Sequence, residues 1–433
     1  FPLSKADGCF SQGDPTDFNT VYAETQTGNI YRQDLRTGQN VRIRPARTTL
    51  ADAGRPERAL FDWNAPFIIS PHNPQTLYMG GKRVFKSVNR GDRWEEISPD
   101  LTATPDEPAS AIVSLTESTL QPGLLWAGSN DGNVFLLRSG SVEWTALKDN
   151  LPDAPERYWV KRIEASHHEL GRAYLVLDGH RHNDFAPYVY TTEDFGETWT
   201  NITNNLPEGS IYVVREDLKN PDLLFAGSEF AIYVSLDRGA TWSRFMTDMP
   251  TVPVHDLLIH PRDSDLIAGT HGRGAWVVNN ITSLQQMTPE VMASEVHLFD
   301  VRPEVQWLST YEFSWTTDKR FYKDNPPTGS SIRYYLQTAQ ADSAAVEILN
   351  ISGEVVRTLA GDSKAGVNVV FWDQREDPPA APAGNQEGNQ FRRGPRVGDL
   401  LPPGEYLVRL TVGTEVQTTR LVIEKHTPGY MGR

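Results

Sequence analysis

The tightest constraint on this chain is a turn that recurs. Ser235-Leu236-Asp237-Arg238-Gly239-Ala240-Thr241-Trp242 fits the pattern Ser-x-Asp-x-Gly-x-Thr-Trp at every fixed position. Related copies occupy residues 87–94 and 191–199, and a remnant ends at Gly140-Ser141-Val142-Glu143-Trp144. Short hydroxyl and carboxylate side chains at this spacing bond nearby backbone amides, and glycine supplies a left-handed turn residue. The closing tryptophan supplies a large apolar surface to pack between sheets. Trp94, Trp144, Trp199 and Trp242 follow one another at intervals of 50, 55 and 43 residues, the period of a four-stranded propeller blade. Asn89, Gly91, Trp94, Asp194, Gly196, Trp199, Asp237, Gly239 and Trp242 are therefore assigned to architecture rather than to chemistry.

Short β-rich runs separated by Gly, Pro, Asn and Asp surround these turns and make about six blade units. The sixth offers runs at 255–259, 265–269 and 275–278 and then no box and no fourth strand. A ring has to cover its edge strands, so the expectation is completion by an N-terminal segment or by a partner. On this reading the Cys9 segment pairs with strands from outside 1–433, and the chain is the C-terminal part of a longer or two-chain protein. Residues 1–282 form the propeller blades and 283–294 a short helical connector. Residues 295–428 alternate apolar and polar positions in six runs, as an immunoglobulin- or fibronectin-like sandwich requires. A Pro/Gly/Asn/Arg-rich insertion near 378–403 reads as a flexible loop or docking segment. The fold class is all-β.

Composition excludes several functions. A net charge of −15 argues against a nucleic-acid partner or adsorption to anionic lipid. The single cysteine, Cys9, allows neither an intrachain disulfide nor a cysteine-based zinc site. No apolar run approaches the ~18 residues of a membrane span. Residues 1–7 lack the charged-then-apolar pattern of a signal peptide.

The boxes resemble those of the BNR/Asp-box propellers, a superfamily of sialidases, xyloglucanase-type hydrolases, sortilin/Vps10 receptors and photosystem-assembly factors. Phe61-Asp62-Trp63-Asn64-Ala65-Pro66, Ile69-Ser70-Pro71-His72, Asp178-Gly179-His180-Arg181, Ala186-Pro187-Tyr188 and Gly269-Thr270-His271-Gly272-Arg273-Gly274 are similar to large bacterial exported proteins named as sortilin-like or BNR-repeat glycosyl hydrolases. Ala365-Gly366-Val367-Asn368, Trp372-Asp373 and Pro403-Gly404-Glu405-Tyr406 resemble their terminal FlgD-like or fibronectin-like module. The resemblance implies an exported protein of the periplasm, cell surface or exterior.

Ligands approach a propeller from the face opposite the boxes, made by the turns between second and third strands and between blades. The binding candidates on that face are Lys82, Arg83, Asn130, His180, Arg181, His271 and Arg273. Asp178, His180, His182 and Asp184 could hold a divalent metal if the segment is extended, since alternate residues then share a side; no other cofactor is implied. Asp131, Asp184 and Glu229 could supply a carboxylate pair for glycoside hydrolysis. The sialidase Phe-Arg-Ile-Pro motif is absent, with Arg42-Ile43-Arg44-Pro45 a poor substitute. The leading expectation is a non-catalytic binding or scaffolding protein with a protein or glycan partner. A glycoside hydrolase or lyase is the alternative.

Overall fold

Short apolar strands joined by tight polar turns produce largely antiparallel sheets; the one parallel pair among the described residues is Glu304–Gln306 with Glu415–Lys425. The computed structural model describes residues 8–45, 61–102, 110–245, 249–307, 329–341, 343–379 and 397–426. The chain divides into two units, Phe1–Asn279 and Asn280–Arg433.

Among the described residues the first unit contains six antiparallel sheets taken in chain order, five of four strands and a last one of three. The first blade comprises Gly8–Asp14, Asp17–Thr25, Asn29–Asp34 and Asn40–Arg42. The second comprises Phe67–Ile69, Leu77–Gly80, Val84–Ser87 and Glu95–Glu96, and the third Ile112–Glu117, Leu125–Ser129, Val134–Leu137 and Trp144–Ala146. The fourth uses Trp159–Ala165, Ala173–Asp178, Tyr188–Thr192 and Thr200–Asn201, and the fifth Ile211–Glu216, Leu224–Ser228, Ile232–Ser235 and Ser243–Phe245. The sixth has Val254–Ile259, Leu266–Thr270 and Ala275–Val278. The first strand of each blade is innermost, and residues at or just before these strands in all six blades line one cavity.

The Cys9 expectation is corrected here. The strand Gly8–Asp14 pairs with Asp17–Thr25 of the same chain and completes a four-stranded first blade. In the sixth blade, among the described residues, no strand pairs with the outer side of Ala275–Val278.

The boxes show why blades stack as they do. In the fifth blade Ser235 Oγ donates to Asp237 Oδ1 (2.7 Å), while the amides of Gly239 and Thr241 donate to Ser235 Oγ and Asp237 Oδ1 (each 2.8 Å). The same bonds recur around Thr192 and Asp194 and around Ser87 and Asn89. Gly239 has φ +84°, and a Cβ there would lie 2.8 Å from Ile202 on the outer strand side of the fourth blade. Gly91 meets Ile43 and Gly196 meets Leu147 in the same way. The tryptophans complete the clamp: Trp94, Trp144 and Trp242 donate Nε1–H to the carbonyls of Ile43, Ile97 and Ile202, at 2.6, 2.9 and 2.8 Å. Trp199 Nε1 is buried without a partner. Each box thus grips the blade before it.

The second unit opens with two short helices, Thr282–Gln285 and Pro289–Ala293. Two sheets follow, one of Val296–Leu298, Ser330–Leu336 and Gly366–Trp372. The other orders Glu304–Gln306, Glu415–Lys425, Gly404–Val412, Ala344–Leu349 and Val355–Gly361. They enclose a core that includes Ile332, Tyr334, Ile348, Trp372, Val408 and Leu421. Tyr406 donates its hydroxyl to the Pro402 carbonyl (2.8 Å), a back-bond of the kind that fixes corners in immunoglobulin-like sandwiches. Most of the expected insertion, residues 380–396, lies outside the described residues. Among the described residues no helix is long and apolar enough to cross a membrane.

Candidate functional site: a cavity on the loop face of the propeller

The inner strands begin or end at a cavity of about 300 Å³ on the loop face. Its wall includes Asp62 and Asn64 before the second blade, Trp159, Lys161 and Arg162 of the fourth, Tyr212 of the fifth, and His255 and Asp256 of the sixth. Trp159 pairs in register with Asp178, at the end of its sheet opposite the box.

The charges in this wall are unequal in their satisfaction. Asp256 Oδ1 accepts from Arg162 (2.7 Å) and Arg215 (3.1 Å), and Arg215 also pairs with Glu164. Burial alone would raise the Asp256 carboxyl, but these two guanidinium groups hold it below the usual range. Asp62 accepts from the Asn64 amide (3.1 Å) and from Asn130 Nδ2 (3.3 Å). Lys161 has instead the rings of Tyr212 and Trp159 near its ammonium, at 5.3 and 5.9 Å. Burial lowers its pKa, with Asp178 opposing the shift. Burial likewise depresses His255, helped by the charge of Lys161, and pushes the Tyr212 hydroxyl up to about 12.

Several of the residues expected from sequence support this wall rather than form it. Arg181 lies 3.6 Å over the Trp159 ring, and His271 stacks on His255 at 5.4 Å. His255 in turn packs on Tyr212 at 4.6 Å. Asn130 holds Asp62. Lys82 is fully buried, Arg83 turns to the Ser98 carbonyl and Glu96, and Arg273 is exposed; none lines the cavity.

The metal arrangement is corrected by local backbone. Residues His180–His182 form a single 3-10 turn, with Asn183 at φ 59°, so alternate side chains do not share a side. Asp178 is taken by His180 Nδ1 (2.7 Å), Asp184 accepts from Tyr158 and Tyr188 (2.8 and 2.7 Å), and His182 stacks on Tyr158. Among the described residues no three His, Cys, Asp or Glu side chains gather as a metal site. The carboxylate candidates are equally engaged. Asp131 accepts from Ser129 Oγ and Asn133 Nδ2 inside its own turn. The Ala186 amide and the two tyrosine hydroxyls overcome burial to keep Asp184 below the usual range. Glu229 is half-buried beside Phe230 and outside the cavity wall.

Sequence reasoning missed Lys161, Trp159, Tyr212 and His255 because each sits within a strand, where periodicity reads only an inner-sheet residue. The signal available was an alternation that places a lysine between aromatic residues at the start of two neighbouring first strands.

Sheets of this order, with boxes bonded in this way, give the first unit an Asp-box β-propeller fold. Within that class, residues 187–323 match the Sortilin-Vps10 family model, described as sortilin, neurotensin receptor 3. No curated protein matches the sequence. Among solved structures, the GH74 enzyme of Niastella koreensis is 14% identical, with 95% of this chain and 65% of that one covered and a TM-score of 0.48. The extracellular domain of a putative hybrid two-component system from B. thetaiotaomicron is 11% identical over 98% of this chain and 51% of its own, TM-score 0.46. YCF48 from Cyanidioschyzon merolae is 12% identical over 64% and 97%, TM-score 0.41. The chain thus spans less than two thirds of the length of the first two.

Proposed function

We propose that this protein is a non-catalytic binding or scaffolding protein of the cell envelope or exterior, presenting the loop face of its propeller to a protein or glycan partner. One observation carries this reading: the acids of the cavity wall are occupied by neighbouring side chains or amides, whereas a cation and aromatic rings face its space. Glycoside hydrolysis needs a carboxylic acid of raised pKa facing a second carboxylate across an open cleft. Asp256 and Asp184 are held ionised instead. Glu24 is pushed up to about 8, but it is fully buried and does not line the cavity.

The test is a glycan-array and peptide-binding screen run beside a sugar-release assay. Binding without turnover, weakened at least tenfold by Arg181→Ala, is the expected result. Specific sugar release that disappears in Asp62→Asn or Glu229→Gln would overturn it.

A further inference from the structure

The cavity holds a partly buried cation, Lys161, that makes no direct ion pair among the described residues. Among the described residues no carboxylate oxygen lies within 4 Å of Lys161; Asp178 and Asp62 act on it from farther off and are themselves bonded, Asp178 to His180 and Asp62 to Asn64 and Asn130. An ammonium withdrawn from water without a counter-charge is costly, and an arriving anion relieves that cost. The rings of Tyr212 and Trp159 lie near it; Tyr212 is buried against His255, whereas Trp159 is half-buried with Arg181 on one face and offers a surface on which a flat apolar face can stack. The polar groups of Asn64 and Asp62 also line the space.

Resting on the binding role proposed above, we propose that this cavity recognises an acidic saccharide through the carboxylate of a uronate ring. The carboxylate takes the Lys161 ammonium, the C–H face of the ring lies against Trp159, and hydroxyls reach Asn64 and Asp62. Volume agrees with a small ligand. About 300 Å³ stands at the lower end of the ~300–1,000 Å³ range of small-molecule sites and suits one or two sugar rings better than several residues of extended peptide. Arg181 and His271 act as positioning residues, since they hold the Trp159 and His255 rings rather than enter the space.

Calorimetric titration of the whole chain with digalacturonate, with neutral galactobiose and with a short peptide bearing a free carboxyl terminus tests this. Digalacturonate should bind at least tenfold more tightly than galactobiose. Lys161→Met should remove that difference, Lys161→Arg should keep most of it, and unchanged melting temperatures should accompany both. Trp159→Leu should weaken both sugars and serves as the second variant if Lys161→Met fails to fold. Equal affinity for the two sugars, or a preference for digalacturonate that survives Lys161→Met, overturns the acidic ligand. Binding of only the peptide or only the neutral sugar, weakened by Arg181→Ala, overturns it while leaving the broader binding role in place. No response to any probe on this face, together with sugar release, overturns both.

Discussion

The fifth and sixth blades share the pairing of their first three strands but differ in what lies over them. In each complete blade from the second to the fifth, the second residue of the second strand is a large aromatic. Tyr78, Trp126, Tyr174 and Phe225 are all buried to 2% exposure or less. Each of the first three packs in a core shared with the next blade. Tyr78 and Tyr174 also donate to Glu117 (3.2 Å) and Glu216 (3.1 Å) on the following first strand. Ile267 takes this position in the sixth blade and stays partly exposed; its cross-strand neighbours Leu258 and Val277 are 54% and 49% exposed. In the equivalent row of the fifth blade Phe225 and Val234 are buried, and the half-buried Arg215 reaches across to the Leu257 carbonyl (2.6 Å). The difference teaches that a blade owes its buried surface to the sheet that follows it, more than to its own hydrogen bonds.

Substitutions can break that comparison. The largest effect is expected from Phe225→Asp, which removes an aromatic worth about 3–5 kcal/mol in a core and buries an unpaired charge; thermal melting should show the first unit unfolded at room temperature. A milder result would mean that the sixth blade covers the fifth only loosely.

Next comes pH. Neither oxygen of the buried Glu24 carboxyl has a well-aligned partner, and the nearby amides of Phe10, Gly28 and Ala65 offset only part of the burial that lifts it from 4.5 to about 8. A carboxyl raised on folding stabilises fully below about pH 4.5 and loses that contribution as pH rises through about 8. Melting temperature should therefore fall by several degrees between pH 6 and 9, and Glu24→Gln should flatten the slope. An unchanged slope in that variant would show the first blade to be wet at this position.

Ser235→Ala should cost about 1–2 kcal/mol, because the hydroxyl organises Asp237 and Gly239 at once. The matching loss should be absent in the sixth blade, which has no box. The smallest effect is expected from the double variant Leu258→Lys with Val277→Lys, within about 0.5 kcal/mol of the parent. A loss of several kcal/mol by denaturant titration would show that this face is covered after all.

The boxes were legible in sequence because their chemistry is local: Ser235, Asp237 and Gly239 satisfy one another within five residues. The direction of each clamp was not, since Gly239 touches Ile202 and Trp242 bonds its carbonyl across a separation that only stacking closes. The placement of some candidate residues was legible; that of the cavity was not. Arg181, His271 and Asn130 do lie at the loop face, yet the cavity belongs to Lys161, Tyr212 and His255 on inner strands of three different blades. His180 and His182 misled because the αL conformation of Asn183 ends a tight turn that an extended reading ignores.

The clamps all point back along the chain. Gly91 and Trp94 close on Ile43, Trp144 on Ile97, Gly196 on Leu147, and Gly239 and Trp242 on Ile202, always on residues made earlier during synthesis. A ribosome-bound chain can lock each blade as soon as the next box emerges, without waiting for its C-terminal half. Growth from the amino end resembles a ratchet, and the sixth blade, with no later box to hold it, is its last released tooth.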